Sequence, residues 1–259
     1  MLSVEIMNEF ERKDDLQLKG LHIWQDRREF CFGVDAVLLS AFAEIKKGEK
    51  VLDLCSGNGI IPILLAGKTE AAEICGLEIN PVQVELAKRS IAENHLSHVT
   101  ITEGDVKNAG TLFQGKRFDA VTCNPPYIRD GRIQNPNRNK AIARHEILCT
   151  LSDVLQSAAK VLRFGGRLYM VHRPDRLAEI MTEMQKYRLE PKRLRTVHSK
   201  KDSQASLVLI EAVLGGGTFL HIMPPLILYK EDGTYTADAL SSYGRDTECV
   251  EHSTFVQHP

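Results

Sequence analysis

Apolar residues in this chain come in short runs divided by polar turns, and the runs alternate in character. Lys50–Cys55, Glu73–Leu77, Val99–Thr102 and Phe118–Cys123 are brief, mainly apolar stretches bounded by Gly, Asn, Pro or Asp, which predicts buried strands. Between the first two, a glycine-containing turn leads into an apolar helix ending near Lys68. Asn80-Pro81 opens another helix, with Asn as N-cap and Pro at the first helical position; its apolar stripe is Val84, Ala87, Ile91. Leu151–Leu162 predicts a helix, broken by Phe164-Gly165-Gly166 before a strand over Arg167–Val171. A helix around Asp175–Tyr187 and strands at Arg193–His198 and Ser206–Val213 close the series. Alternation of this kind predicts an α/β fold: a Rossmann-like, seven-stranded, mostly parallel sheet with helices on both faces.

Around that unit, at 46–215, the remaining segments read differently. Residues 1–45 form an N-terminal lead-in, 216–244 a hairpin-like extension packed on the domain, and 245–259 a polar tail expected to be disordered. Length fits one large domain with a small annex. The formal net charge of −1 gives no global pull towards nucleic acid, so binding there needs a local basic patch. The six cysteines show no CxxC spacing, which points to a reduced chain without a metal site. The N-terminus lacks a signal-peptide layout and no apolar run reaches membrane-spanning length, so the expectation is a cytoplasmic protein without a membrane.

In sheets of this type ligands sit beyond the carboxyl ends of the strands, and the polar clusters fall there. Asp53, then Gly57 and Gly59 in Ser56-Gly57-Asn58-Gly59, end the first of these strands. Glycines let a ligand approach the backbone. No Lys-Ser/Thr follows, and Pro62 stands where a dinucleotide fingerprint has its third glycine, which disfavours a diphosphate. Asp53 would repel phosphate and attract a cation. Glu78 ends the second strand, where an acid can accept both hydroxyls of a ribose. Asp105 ends the third, where it can accept from an adenine amine while the Val106 amide donates to a ring nitrogen. Singly, each acid has an ordinary explanation: a strand-end turn, a surface residue, an N-cap. Jointly they describe a ligand with a ribose, an adenine and a cationic end, which S-adenosylmethionine satisfies.

Asn124-Pro125-Pro126-Tyr127 follows the fourth strand. Proline cannot continue a sheet ladder, so the chain leaves the sheet in an extended conformation. The Asn124 amide, the carbonyls of Asn124 and Pro125, and the Tyr127 ring then suit a planar group bearing –NH2. A Pro-Pro turn with a capping Asn is the plain alternative. With these motifs in this order, the chain resembles class I S-adenosylmethionine-dependent methyltransferases over roughly residues 30–215. Asn-Pro-Pro-Tyr is the form found in branches that methylate exocyclic or amide nitrogens. Phe32–Leu39, Ala143-Arg144-His145-Glu146, Lys192–His198, Pro224–Tyr229 and Gly233–Thr236 narrow the resemblance to bacterial tRNA(Val) adenine-N6 methyltransferases, which act beside the anticodon.

The resemblance implies N6-adenine methylation of RNA, most simply tRNA. Asn124, Pro125 and Tyr127 would be catalytic. Asp35, Ala36, Asp53, Gly57, Gly59, Glu78, Asp105, Val106 and Asn124 would border the cofactor, with Asp35 and Ala36 at its methionine end. Arg129, Arg144, Lys192, Arg193 and Arg195 would hold RNA phosphates. His145 reads as a surface or structural residue. Three other readings stand beside this one: a release-factor glutamine-N5 methyltransferase, an rRNA guanine-N2 methyltransferase, and a non-catalytic RNA- or cofactor-binding scaffold.

Overall fold

A computed structural model describes residues 9–29, 31–125 and 149–244. The strands are β1 (Glu11–Asp15), β2 (His22–Asp26), β3 (Lys50–Leu54), β4 (Glu73–Glu78), β5 (Val99–Glu103), β6 (Phe118–Cys123), β7 (Leu162–His172), β8 (Leu189–His198), β9 (Ala205–Leu214), β10 (His221–Ile222) and β11 (Leu226–Ile227). The helices are α1 (Val34–Phe42), α2 (Ile60–Lys68), α3 (Pro81–Glu93), α4 (Ala109–Leu112), α5 (Leu151–Val161), α6 (Leu177–Lys186) and α7 (Ala237–Ser242).

The predicted seven-stranded sheet is present in the order β5-β4-β3-β6-β7-β9-β8. Strands β3 to β7 are parallel, and β9 runs antiparallel to both of its neighbours. Because helices cover both faces, its central strands read as apolar runs. Alternate residues feed two cores. Val51, Ile74, Ala120 and Tyr169 meet α1 and α2, whereas Leu52, Leu77, Val121 and Leu168 share a core with α5 and α6. Strand order reverses at β3 and β6, which opens the crevice at their carboxyl ends.

Helix ends follow their local chemistry. Asn80 accepts the Val82 N–H at 3.0 Å, with Pro81 at the first position. Thr150 and Asp153 form a reciprocal capping box at α5.

Several elements depart from the sequence reading. Within 1–45, β1 and β2 form an antiparallel hairpin and α1 follows it. Trp24 fixes the hairpin to α3: its N–H donates to Ser90 Oγ and its indole to Glu93 Oε1, both at 2.9 Å, and the Arg89 guanidinium sits 4.0 Å from its ring centroid. The Phe164-Gly165-Gly166 break proves to be an irregularity inside β7, which already pairs with β6 at Leu162 and resumes at Arg167. The segment read as hairpin-like instead lays β10 and β11 parallel to β8; its antiparallel element is the single bridge Tyr229–Tyr235.

Candidate active site

Strand alternation puts Asp53, Gly76, Glu78 and Thr122 on the face covered by α1 and α2, and Asn124 continues that phase beyond β6. Asp53 is opposite Gly76 on one side and Thr122 on the other. The Thr122 hydroxyl donates to Asp53 Oδ1 at 2.6 Å. Asp53 is 0 % exposed, and burial pushes its carboxyl up to about 7, opposed by the Thr122 and Ser56 hydroxyls and reinforced by the charge of Glu78. Ser56 is close enough to favour the ionised form. Even so, neither Asp53 Oδ2 nor Ser56 Oγ completes a well-formed hydrogen bond among the described residues, although both are buried.

The turn after β3 is shaped by its backbone. Cys55, Gly57 and Gly59 have φ of 59°, 54° and 80°. A Cβ on Gly57 would meet nothing within 4 Å, so its open side is free for a ligand. A Cβ on Gly59 would lie 3.0 Å from Ala87 Cβ, so that glycine sets the approach of the turn to α3. Gly76 allows Ser56 to lie over β4, since a Cβ there would be 2.5 Å from Ser56 Oγ. The buried Asn58 side chain donates to the Trp24 carbonyl at 3.1 Å, which ties the turn to the N-terminal hairpin.

Glu78 braces the same turn. Its Oε2 accepts the Gly57 N–H and its Oε1 the Asn80 N–H, each at 2.8 Å. An ionised carboxylate has about four acceptor sites, so capacity for two hydroxyls remains. Asn80 in turn donates to Glu29 Oε2 at 2.9 Å.

Asp105 caps the short turn that begins at Val106, accepting the Lys107 N–H at 2.9 Å, while Lys107 Nζ lies 3.4 Å from its other oxygen. Val106 is buried and its carbonyl accepts the Ser157 hydroxyl at 2.8 Å. Asp35 and Ala36, both buried, form the first turn of α1, where Ala36 N–H donates to Asp35 Oδ1 at 3.0 Å. At the other end of that helix, Phe42 lies edge-on to Tyr169, and Arg167 donates to the Glu44 carbonyl just beyond it. The first turn of α1 therefore points towards the carboxyl ends of the strands.

Asn124 is half-buried and Pro125 buried directly after β6. A cavity of about 300 Å³ opens beside Pro125, walled by Cys149 and Thr150 before α5, His172 at the end of β7, and Glu179 of α6. Burial, helped by the charge of Arg176, lowers His172 to about 4, so a neutral imidazole borders the cavity at neutral pH. Its Nδ1 accepts the Arg173 N–H at 2.8 Å. Tyr127, Arg129, Arg144 and His145 lie outside the described residues.

The basic run on β8 is placed apart from this crevice. Arg193 shares a sheet level with Asp53 but sits four strands away through Thr122, Tyr169 and Glu211, or roughly 19 Å at ordinary strand spacing. It pairs with Glu211 and Glu44 and stacks on Phe42. Arg195 donates to the Pro224 carbonyl at 3.1 Å and Asp238 at 3.0 Å, and Lys192 donates to the Gly217 carbonyl.

The structure thus gathers Asp53, Gly57, Gly59, Glu78, Asn124 and Pro125 at adjoining strand ends. It also adds Ser56, Asn58, Gly76 and Thr122, which the sequence reading did not single out. Thr122 had a signal: it is two residues before Asn124, on the same strand face.

Residues 45–219 match the family model described as a methyltransferase domain. A Porphyromonas gingivalis protein named tRNA1(Val) (adenine(37)-N6)-methyltransferase is 31% identical over 205 residues, covering 76% of this chain and 80% of the relative. An Aeromonas hydrophila protein of the same name is 27% identical over 228 residues, or 87% and 93% of the two chains. Among solved structures, a predicted O-methyltransferase from Agrobacterium tumefaciens superposes with a TM-score of 0.67 at 22% identity, over 81% of this chain and 95% of that one. The Thermus thermophilus 16S rRNA N2 G1207 methyltransferase, solved with AdoMet and guanosine, gives 0.55 at 20% identity, over 80% and 51%. These two structures share the fold.

Proposed function

The chain belongs to the S-adenosylmethionine-dependent methyltransferases, and from that premise we propose that it methylates N6 of an adenine in RNA, with tRNA near the anticodon as the substrate. The placement of Asn124 carries this reading: it leaves β6 in phase with Thr122 and Asp53, directly beyond the strand ends that gather Gly57 and Glu78. The names of the similar Porphyromonas and Aeromonas proteins support the choice of acceptor.

The buried, incompletely bonded Asp53 and Ser56 and the open side of Gly57 suit the cofactor. When bound, S-adenosylmethionine supplies an electrophilic methyl group on a sulfonium. Asp53 and the first turn of α1, with Asp35 and Ala36, hold its cationic methionine end. Glu78 keeps acceptor capacity for ribose hydroxyls, and Asp105 and Val106 serve the adenine edge.

An adenine amine is a weak nucleophile because its lone pair is delocalised. Asn124 Oδ1 and the Pro125 carbonyl accept its N–H bonds and localise that pair, and Tyr127 stacks on the base. Alignment and charge placement carry most of the rate. The base leaves its stack to reach Asn124, which favours a single-stranded loop as the target. Because Lys192, Arg193 and Arg195 are engaged within the chain, phosphate contact falls to the basic segment that includes Arg129 and Arg144.

The test is incubation with labelled cofactor and, separately, total tRNA, total rRNA, DNA and release factors, followed by identification of the labelled nucleoside or amino acid. N6-methyladenosine in tRNA is the expected product. Label in guanosine or glutamine, or in none of these substrates, would overturn the reading.

A further inference from the structure

The matched methyltransferase domain begins at residue 45, yet the segment before it reaches the strand ends of that domain. β2 ends at Asp26, and the turn that follows is tightly held. The Glu29 N–H donates to the Asp26 carbonyl at 3.0 Å. The buried Asp26 carboxylate accepts the Arg28 N–H at 2.8 Å and pairs with the Arg28 guanidinium at 2.6 Å. This turn presents Glu29 Oε2 to the side-chain amide of Asn80, fifty-one residues downstream, at 2.9 Å. Asn80 passes the contact on. Its side-chain oxygen caps α3 at the Val82 N–H, and its backbone N–H donates to Glu78 Oε1 at 2.8 Å. Glu78 Oε2 accepts the Gly57 N–H, also at 2.8 Å. An unbroken line of hydrogen bonds therefore runs from Glu29 through Asn80 and Glu78 to the glycine turn. Docking of the hairpin is carried elsewhere: Trp24 bonds Ser90 and Glu93, His22 bonds Asn94, and Lys13 and Arg89 form ion pairs, all on the later half of α3 or just past it. Glu29 meets the opposite end of that helix, at its N-cap.

We propose that Glu29 is a positioning residue for the cofactor: through Asn80 it fixes the Glu78 carboxylate in the orientation that receives the ribose hydroxyls. A carboxylate whose rotamer is set beforehand loses less freedom when a ligand arrives, so a support outside the ligand's reach still raises affinity. The rigid Asp26–Glu29 turn supplies that support from a part of the chain outside the matched domain. The inference rests on the cofactor reading of Glu78 and is independent of which acceptor is methylated.

The experiment is calorimetric titration of the full chain with S-adenosylhomocysteine, with urea midpoints measured alongside, for Glu29→Ala, Glu29→Gln, Glu78→Ala and the double variant Glu29→Ala/Glu78→Ala. Glu29→Ala should weaken binding by about fivefold, the scale of one hydrogen bond. Glu29→Gln keeps an acceptor for the Asn80 amide and should stay within about twofold of the unsubstituted chain. Once Glu78 is replaced, losing Glu29 as well should change affinity by less than about twofold, because the carboxylate it positions is gone. A fivefold loss in both backgrounds overturns the proposal, since Glu29 would then act on something other than Glu78. Equal losses in the glutamine and alanine variants overturn it, as does a Glu29→Ala chain that does not fold, which would make Glu29 a docking residue of the hairpin. Unchanged affinity in Glu29→Ala beside weakened affinity in Glu78→Ala sinks this proposal alone. Unchanged affinity in Glu78→Ala sinks the cofactor reading of Glu78 and this proposal with it.

Discussion

Glu78 holds the turn it faces: its carboxylate accepts the backbone N–H of Gly57, twenty-one residues earlier in the chain, at 2.8 Å. The acid proposed to receive the ribose therefore also fixes the glycine over which the cofactor is proposed to lie. Glu78→Ala removes both the brace and the acceptor. Loss of two charge-assisted bonds should weaken cofactor binding by about 100-fold, and Glu78→Gln, which keeps one acceptor oxygen, should fall between. Calorimetry reads this directly, and unchanged affinity in the alanine variant would remove Glu78 from the cofactor site.

Gly57 and Gly59 share left-handed backbones but differ in surroundings. Gly57→Ala should cost only about 1 kcal/mol of stability, since its Cβ meets open space, yet it should block the cofactor. Gly59→Ala adds pressure on Ala87 and should cost about 2 kcal/mol or more. Denaturant midpoints paired with cofactor affinities separate the two effects.

Asn124→Ala should lower kcat by about 100- to 1,000-fold, the scale of losing one positioned polar partner in a transition state. Cofactor affinity should stay within about threefold of the unsubstituted chain, a shift smaller than one hydrogen bond. Methyl transfer that persists at its original rate places the acceptor elsewhere.

His172 makes an acid-sensitive contribution. Its folded-state value is lowered to about 4, so between the ordinary histidine range and that value the unfolded chain binds a proton that the native protein refuses. Stability falls as pH drops through this window, by up to about 3 kcal/mol. Asp53, with its raised value, acts in the opposite direction between about 4 and about 7. His172→Gln should therefore lose less stability than the unsubstituted chain between about pH 7 and 5 in urea titrations. Parallel curves would contradict the burial argument.

Arg193 spans β8, β9 and the end of α1 through Glu211, Glu44 and Phe42. Arg193→Ala should lose about 1–3 kcal/mol of stability through its stranded partner Glu211, with KM for the nucleic acid unchanged. A large rise in KM with intact stability would return Arg193 to the substrate surface.

The parts of the fold legible in the sequence are those whose side chains obey a single rule. β3, β4 and β6 announce themselves because both faces are buried, and α3 because Asn80-Pro81 and its apolar stripe agree. β1 is Glu11-Arg12-Lys13-Asp14-Asp15, without an apolar alternation to read, and is held by β2 and by ion pairs to α3. α1 hides for the opposite reason: Ala36-Val37-Leu38-Leu39 is apolar throughout, because that helix is buried on nearly every side. At the site, the strand-end acids were visible as a series. The partnership of Thr122 with Asp53, and of Gly76 with Ser56, depends on strand register, which only the assembled sheet supplies.

The hairpin that steadies Asn58 through Trp24 has a consequence for synthesis. Trp24 reaches Ser90, Glu93 and Asn58, and His22 reaches Asn94, so these two strands find their partners as many as seventy-two residues downstream. At ribosomal speeds of about 5–20 residues per second, this charged ribbon waits several seconds for α3 to emerge before it can dock. Steadying of the glycine turn thus waits until α3 has followed the hairpin out of the ribosome.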